Sequence, residues 1–300
     1  MKTIRTITVT NDLPLEVFEY AVAQPKALLI IVHGSVDHKA HYEEFAEYAQ
    51  TQGIFTVLPD VRGHGNSFAK EIGLISDKRD GWELYKKDLS TLKQVYQYKV
   101  PDVPLFVLGH SMGAMILQDW LRSESVDGAI ISGTGYTSPL MMRLGLFMIH
   151  QEAKKHGYDA RSPKLHELIY GTLDKRAKKM GIDSFITRDV AQRKRYKSDP
   201  KCQFKITVDY ANELAKGIIR AGKASTYQIN PSIPILFISG EKDPVGGHNA
   251  NYVKRAVRQY EKNGNPVTAY IYPEAFHNML QELNKVEVFD DVAEWMTALT

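Results

Sequence analysis

The chain has 300 residues, of which 43% are apolar and 24% are charged, and its formal net charge is +3. These proportions are those of an ordinary soluble globular protein, and the length allows a large buried core. The single cysteine, Cys202, excludes an intrachain disulfide and favours a reducing, cytoplasmic setting. The first 17 residues alternate polar and apolar side chains like a strand and lack the apolar core of a signal peptide.

Strand-like and helix-like patterns alternate over the first 135 residues. Apolar runs predict strands, the first two of which are suited to a hairpin, at residues 4–9, 17–22, 27–32, 54–58, 105–108 and 128–132. Helical spacing of apolar residues predicts helices at 39–52, 82–98 and 112–122. The run ALLIIV at 27–32 is continuously apolar, as in a strand buried on both faces. The alternation predicts an α/β fold with a mostly parallel sheet and helices on both faces.

The alternation stops after the strand at 128–132 and resumes about 100 residues later. Residues 134–225 have few strand patterns and are mostly helical in spacing. A strand at 233–239, a helix at 249–262, a strand at 267–272 and a helix ending at residue 300 then complete the pattern. We therefore predict a core domain made of residues 1–133 and 226–300, interrupted by a helical cap insertion at 134–225.

The insertion combines excess basic charge with an apolar stretch. Residues 151–224 hold 18 Lys and Arg against 9 Asp and Glu, a surplus that attracts anionic substrates or lipid headgroups unless it is only a solvated helical face. Acidic residues are mixed in and aromatic interleaving is missing, so we expect no nucleic-acid partner. The run PLMMRLGLFMI at 139–149 is too short to span a bilayer. It fits a cap helix packed on its neighbours, the lining of a cavity, or a surface in transient contact with a membrane.

The sequence VLGHSMGAM at 107–115 places Ser111 between two glycines where a strand ends and a helix begins. A Gly-x-Ser-x-Gly match alone also fits an ordinary strand-to-helix turn. Catalytic groups of open α/β sheets gather at the carboxyl ends of strands, and a nucleophile there needs small neighbours because the backbone turns sharply. Free N–H groups at the helix start also favour a developing oxyanion. We therefore predict that Ser111 is a nucleophile.

A catalytic serine needs a base, and the base needs an acid that orients it. Asp243 follows the apolar strand at 233–239, and His277 follows the strand at 267–272, so both reach the same sheet edge in the order Ser, Asp, His. Taken alone, Asp243 also fits a turn or capping residue, and His277 fits a helix cap. Together with Ser111 they predict a catalytic triad, with Glu241 as the alternative acid.

The oxyanion would be bound by two backbone N–H groups, those of Met112 and Ser35. His33 and His110 are expected to have structural roles, with the His110 side chain pointing away from Ser111. The ten histidines show no zinc-ligand spacing, and no phosphate-binding loop or complete dinucleotide-binding motif occurs. The predicted chemistry needs no metal and no organic cofactor.

Four stretches carry a family resemblance: HGSVDHKAHY (33–42), DVRGHGNS (60–67), GHSMG (109–113) and GEKDPVG (240–246). With them the chain resembles the α/β-hydrolase superfamily, in particular its monoacylglycerol lipase and lysophospholipase branch, grouped with serine aminopeptidase-type hydrolases. The resemblance implies an α/β-hydrolase fold with Ser111 as nucleophile, Asp243 as acid, His277 as base, and Ser35 and Met112 as oxyanion donors. The chain departs from the family pattern at Glu274, where glycine is usual, and at Asn278, where glutamate is common.

The resemblance implies a cytoplasmic serine hydrolase that cleaves carboxylic esters through an acyl-enzyme. A lipid substrate such as a monoacylglycerol or lysophospholipid is expected, and contact of the basic cap with a membrane surface would be transient. Alternatives that stay open are a short-chain carboxylesterase, an acyltransferase, and a non-catalytic ligand-binding homologue. A proline-releasing peptidase is disfavoured because nothing in the sequence marks a site for an N-terminal amine. The oligomeric state and the preferred acyl length are not determined by the sequence.

Overall fold

The computed structural model describes residues 2–76, 80–136 and 138–300. They contain one eight-stranded sheet with the strand order β1-β2-β4-β3-β5-β6-β7-β8. The strands are β1 (Lys2–Val9), β2 (Leu13–Tyr20), β3 (Ala27–Val32), β4 (Ile54–Pro59), β5 (Leu105–His110), β6 (Gly128–Ser132), β7 (Ile235–Gly240) and β8 (Val267–Tyr272). β1 pairs antiparallel with β2 and β2 with β4, while all pairs from β4 to β8 are parallel.

Helices lie between successive parallel strands, and the last helix follows β8. They are α1 (Glu43–Thr51), α2 (Gly81–Lys99), α3 (Met112–Trp120), α4 (Pro139–His156), α5 (Pro163–His166), α6 (Thr172–Lys178), α7 (Val190–Ser198), α8 (Val208–Ala221), α9 (Asn251–Asn263) and α10 (Lys285–Thr297). A π-helical turn, Glu167–Gly171, joins α5 to α6. Short 3₁₀ turns precede α1 at Lys39–Tyr42 and follow α7 at Pro200–Cys202.

The central strands are buried on both faces. In β3, Leu28 and Ile30 pack into one hydrophobic cluster, whereas Leu29 and Ile31 pack into a second cluster on the opposite side of the sheet. This alternation follows from the two-residue period of a strand. The continuous apolar run therefore predicted the doubly covered strand correctly, and the predicted α/β-hydrolase architecture is confirmed.

The helices α4 to α8 all lie between β6 and β7, and residues 138–227 are called the helical segment below. Helix α8 packs against both α3 and α4. Thr137, which belongs to the predicted insertion, lies outside the described residues. Among the residues that the structure describes, none of the helices is both long enough and apolar enough to cross a bilayer.

Several predicted boundaries differ from the structure for identifiable reasons. The second strand begins at Leu13 rather than at residue 17, because the hairpin register pairs Leu13 with Val9. The predicted helix at 39–52 begins as a 3₁₀ turn that spans Lys39–Tyr42, and α1 continues it only from Glu43. Neither difference affects Ser111, Asp243 or His277, which follow β5, β7 and β8 at the carboxyl edge of the sheet.

Candidate active site

Ser111 lies at the sharp turn between β5 and α3, with a backbone φ of 53° and ψ of −113°. This strained conformation is characteristic of a nucleophile at a strand-to-helix elbow. The flanking glycines are required sterically. A Cβ on Gly109 would lie 2.4 Å from the Gly113 carbonyl oxygen, and a Cβ on Gly113 would lie 2.1 Å from the Val32 carbonyl oxygen. The turn therefore needs glycine on both sides of the serine.

Asp243 and His277 lie on the loops that follow β7 and β8. Their side chains are buried and joined by a hydrogen bond of 2.9 Å between His277 Nδ1 and Asp243 Oδ2. The second carboxylate oxygen, Oδ1, accepts the N–H of Val245 at 2.8 Å. Because a carboxylate accepts and does not donate, Nδ1 carries the imidazole proton, which leaves Nε2 with its lone pair.

The two loops meet Ser111 at one cavity. The Ser111 N–H donates to the Ser132 carbonyl at 2.8 Å, so the elbow is tied to the end of β6. The next residue, Gly133, has a φ of +62°, and a Cβ there would lie 2.9 Å from His277 Cε1. Ser111 and His277 both line the cavity. The structure therefore brings all three predicted triad positions to the same end of the sheet.

His110 packs beside the candidate base. Its ring centroid lies 4.8 Å from that of His277, and its Nδ1 lies 3.2 Å from Ser132 Oγ. Burial and the neighbouring His277 hold the pKa of His110 well below its ordinary value, so this ring is neutral. The His110 ring therefore contributes to the packing that holds the His277 ring in place.

The helical segment holds the loop that carries His277. The His277 N–H donates to the Phe185 carbonyl at 3.2 Å, and the Asn278 N–H donates to the Ile186 carbonyl at 2.7 Å. The Phe185 ring also packs on the His277 ring, with centroids 5.2 Å apart. Fully buried Glu282 accepts the Phe276 N–H and pairs with Arg188 at 2.9 Å. The position of the candidate base thus depends on residues far away in the sequence.

Ser35 lies in the loop after β3, where a Cβ on the preceding Gly34 would lie 3.3 Å from Ser111 Cβ. Its hydroxyl is hydrogen-bonded to two tyrosines of the helical segment, Tyr170 and Tyr210, the latter at 2.5 Å. The Tyr210 hydroxyl is also 2.8 Å from His64 Nε2. These contacts fix the loop from which the second oxyanion donor is expected.

The hydrogen bonds around Ser35 have a definite direction. His64 Nδ1 lies 3.1 Å from the Arg62 carbonyl and so carries the proton, and burial lowers the pKa of His64 to about 3, so the ring is neutral. Nε2 must then accept from Tyr210, which in turn accepts from Ser35, and Ser35 accepts from Tyr170. Sequence reasoning missed this chain because its members come from three separate segments.

Glu241, the alternative acid, and Glu274, which departs from the family pattern, contact residues other than His277. Glu241 accepts the Glu274 N–H at 3.3 Å in an exposed contact, whereas Asp243 contacts His277. The Glu274 side chain pairs with Lys242 at 3.3 Å. Its backbone has a φ of 60°, a left-handed conformation that favours glycine and accounts for the usual residue of the family at this position. Asn278 is buried beside the base.

His33 has the structural role that was expected of it. Its Nε2 accepts the Val61 N–H at 2.8 Å, and its Nδ1 lies 2.8 Å from the Gly34 carbonyl. Burial lowers the pKa of His33, so the buried ring is neutral. It joins the loop after β3 to the loop after β4.

The cavity above Ser111 has a volume of about 740 Å³, within the range of small-molecule sites. Helix α4 contributes an apolar wall, formed by Met141, Met142, Leu144, Met148 and Ile149. Helix α8, which packs against α4, adds Leu214 and Ile218 to the lining. The arrangement can hold an apolar chain beside the candidate nucleophile Ser111 and the candidate base His277.

The chain is similar in sequence to lipases and similar in fold to an esterase. The chain is 24% identical to a monoglyceride lipase of Mus musculus over 277 residues, which cover 91% of this chain and 83% of that protein. It is 26% identical to a monoacylglycerol lipase of Mycolicibacterium smegmatis over 286 residues, covering 91% and 89%. A carboxyl esterase structure from Bacillus coagulans superposes with a TM-score of 0.86 at 19% identity, covering 99% and 98% of the two chains.

The likeness to that esterase shows the fold alone, since the identity is low. The family itself is shown by a model described as serine aminopeptidase, S33, which matches residues 23–284 and so covers most of the chain. The chain belongs to this serine aminopeptidase S33 family of α/β-hydrolases.

Proposed function

We propose that the protein is a serine hydrolase that cleaves carboxylic esters of lipid type, with Ser111, His277 and Asp243 as its catalytic triad. The observation that carries the proposal is the buried His277–Asp243 hydrogen bond at the cavity that Ser111 lines. The monoglyceride and monoacylglycerol lipases among its relatives support the substrate class. Turnover of a p-nitrophenyl ester by the purified protein tests the activity.

The reaction runs through an acyl-enzyme. Ser111 Oγ attacks the ester carbonyl while His277 Nε2 takes its proton, and the imidazolium then returns that proton to the leaving alcohol. Water attacks the acyl-enzyme in the same way, which releases the carboxylic acid and regenerates the serine. Asp243 keeps the Nδ1 proton in place and stabilises the imidazolium by its charge.

The oxyanion of each tetrahedral intermediate would be bound by the N–H groups of Met112 and Ser35. Met112 is the first residue of α3, where backbone donors have no partner within the helix. Ser35 is positioned by its bonds to Tyr170 and Tyr210. Pre-oriented donors of this kind stabilise developing charge without reorganisation. The helical segment thus acts as a cap that also positions the catalytic loops.

We expect the enzyme to prefer esters of long acyl chains. Each methylene group buried in the apolar cavity contributes about 0.8 kcal/mol, so kcat/KM should rise roughly fourfold per added methylene while the chain still fills the cavity. The measurement is kcat/KM for p-nitrophenyl esters from two to twelve carbons, each kept below its micellar concentration.

A maximum at the shortest esters would instead identify a short-chain carboxylesterase. Added glycerol separates hydrolase from acyltransferase in the same assay, because a transferase would convert the acyl group into a glyceride rather than a free acid.

We propose that helix α4 touches the lipid surface that supplies the substrate. Four large apolar side chains on it are more than half exposed: Leu140, Met141, Leu144 and Phe147. Met141 and Leu144 also line the cavity, so the exposed face continues into it. Several basic residues of the helical segment are held in ion pairs, such as Lys164 with Glu152 and Arg188 with Glu282. These pairs leave the surplus of basic over acidic residues in the segment unchanged, so the apolar face and the surplus charge both favour contact with an anionic lipid surface.

Replacing Leu140 and Phe147 together by serine should weaken co-sedimentation with anionic phospholipid vesicles about tenfold or more, because two buried apolar side chains are lost. Hydrolysis of a short soluble ester should stay near the wild-type rate. Tyr98→Ser is the matched control, since Tyr98 is 90% exposed on α2, outside this face. Equal vesicle binding by the double variant and the wild type would refute the role of α4.

A further inference from the structure

Four side chains with metal-binding atoms meet between the loop after β3 and the helical segment: His38, His41, Asp199 and Cys202. One ligand atom from each lies within 4.8 Å of the other three. Both histidines and the cysteine are buried, and Asp199 is partly exposed. Neither the proposed triad nor the oxyanion donors include any of these residues.

The cluster is built from two matching 3₁₀ turns. His38 caps the turn Lys39–Tyr42 and His41 is its third residue, while Asp199 caps the turn Pro200–Cys202 and Cys202 is its third residue. Each cap side chain accepts a backbone N–H of its own turn, from Ala40 or Lys201, which folds it over the turn toward the third residue. Each turn therefore presents two donor atoms, and the two pairs face each other.

His41 has the orientation of a metal ligand. Its Nδ1 lies 2.7 Å from Asp37 Oδ1, so Nδ1 carries the proton and Nε2 keeps a free lone pair. Nε2 is buried and has no hydrogen-bond partner among the described residues. It lies 3.7 Å from Asp199 Oδ2. In metal sites, a ligand histidine usually donates its other ring N–H to a carboxylate, which fixes the ring orientation. Asp37 has that place beside His41.

The remaining donors are oriented as well. Asp199 Oδ1 accepts the Lys201 N–H at 2.9 Å, which directs Oδ2 toward both histidines. His38 Nε2 lies 2.7 Å from that oxygen, and its Nδ1 accepts a long hydrogen bond of 3.3 Å from Ala40. A metal at His38 Nε2 would place the imidazole proton on Nδ1, at the cost of this long hydrogen bond from Ala40.

We propose that His38, His41, Asp199 and Cys202 form a zinc site that joins the loop after β3 to the helical segment. Two imidazoles, a carboxylate and a thiolate are the ligand types that Zn²⁺ takes in tetrahedral sites, and a thiolate excludes Mg²⁺ and Ca²⁺ as the preferred ions. Ligand atoms around tetrahedral zinc are roughly 3–4 Å apart. The pairs up to 4.8 Å apart must therefore close, while His38 Nε2 and Asp199 Oδ2, now 2.7 Å apart, must open slightly to admit the ion.

Binding is charge-balanced. The Cys202 thiol gives its proton to solvent as the sulfur–zinc bond forms, and the thiolate and the Asp199 carboxylate together neutralise the divalent ion. Ser35, the expected oxyanion donor, is three residues before His38. Zinc would therefore anchor the loop that carries this donor to the helical segment, as a structural ion outside the chemical step.

Cobalt(II) provides the test, because it replaces zinc in such sites and reports its ligands by absorption. The chain, purified without a histidine tag and stripped by a chelator, should bind one Co²⁺ with the intense visible bands of tetrahedral cobalt and a near-ultraviolet thiolate-to-cobalt band. Only Cys202 can give the thiolate band, since the chain has one cysteine. One equivalent of Zn²⁺ should abolish both bands and raise the melting temperature.

Variants locate the ligands. Cys202→Ser should remove the thiolate band, and His41→Ala should weaken Co²⁺ affinity at least about tenfold. His150→Ala is the control, because His150 is exposed on α4, outside the cluster. The wild-type measurement needs no variant to fold. The proposal is overturned if saturating Co²⁺ gives no thiolate band, or if His150→Ala lowers affinity as much as His41→Ala does.

Discussion

Ser111→Ala should lower the turnover of p-nitrophenyl esters by at least about 10⁴-fold, because the acyl-enzyme cannot form without the hydroxyl. The substitution deletes one oxygen at a half-exposed position and leaves the backbone turn between Gly109 and Gly113 unchanged. The melting temperature should therefore stay close to that of the wild type. The measurement combines initial rates of ester hydrolysis with a thermal melt of the same preparation.

Residual turnover near the wild-type level would assign the nucleophile to another residue. A variant that is inactive because it is unfolded is recognised by the melt, so loss of folding and loss of chemistry are separated.

Asp243→Asn should reduce kcat by roughly 10⁴-fold. The amide has nearly the shape of the carboxylate, but its NH₂ group favours the wrong histidine tautomer and its neutral charge cannot stabilise the imidazolium. Val245 would keep its bond to the remaining carbonyl oxygen, so the loop should hold its conformation.

Glu241→Gln is the matched control, since Glu241 was the alternative acid and lies two residues earlier on the same loop. Its carboxylate accepts an exposed bond from the Glu274 N–H and does not contact His277 in the structure. We expect nearly unchanged kcat. The reverse result, with Glu241→Gln inactive and Asp243→Asn active, would reassign the acid.

The sheet and the relative placement of the triad positions could be predicted because they depend on local signals. Strands such as Ala27–Val32 and Val267–Tyr272 are apolar runs bounded by turn residues, and their predicted limits match the structure. In a parallel sheet the carboxyl ends of all strands share one edge. Residues that follow those strands, such as Asp243 and His277, therefore had to approach each other.

The supporting contacts could not be predicted, because they join segments that no local pattern relates. The bonds of Ser35 to Tyr170 and Tyr210 depend on how the helical segment lies over the sheet. The same is true of the packing of Phe185 on His277. The spacing of the histidines alone predicts no zinc site, since His38 and His41 supply half of a donor set.

The metal-binding cluster does leave a weak trace in the sequence. His38 and His41 are three residues apart, as are Asp199 and Cys202, but about 160 residues separate the two pairs. Pairs at this spacing are frequent by chance, and only the packing of the helical segment against the loop after β3 brings them together.

Covalent labelling tests the central claim most directly, because it asks whether Ser111 is an activated nucleophile. A fluorophosphonate probe should label the wild-type protein at one site, and mass analysis of the digest should place the label on the peptide that contains Ser111. Asp243→Asn should react far more slowly, since its histidine is no longer an effective base. A wild-type protein that is folded but unlabelled, or labelled on a peptide without Ser111, would contradict the account.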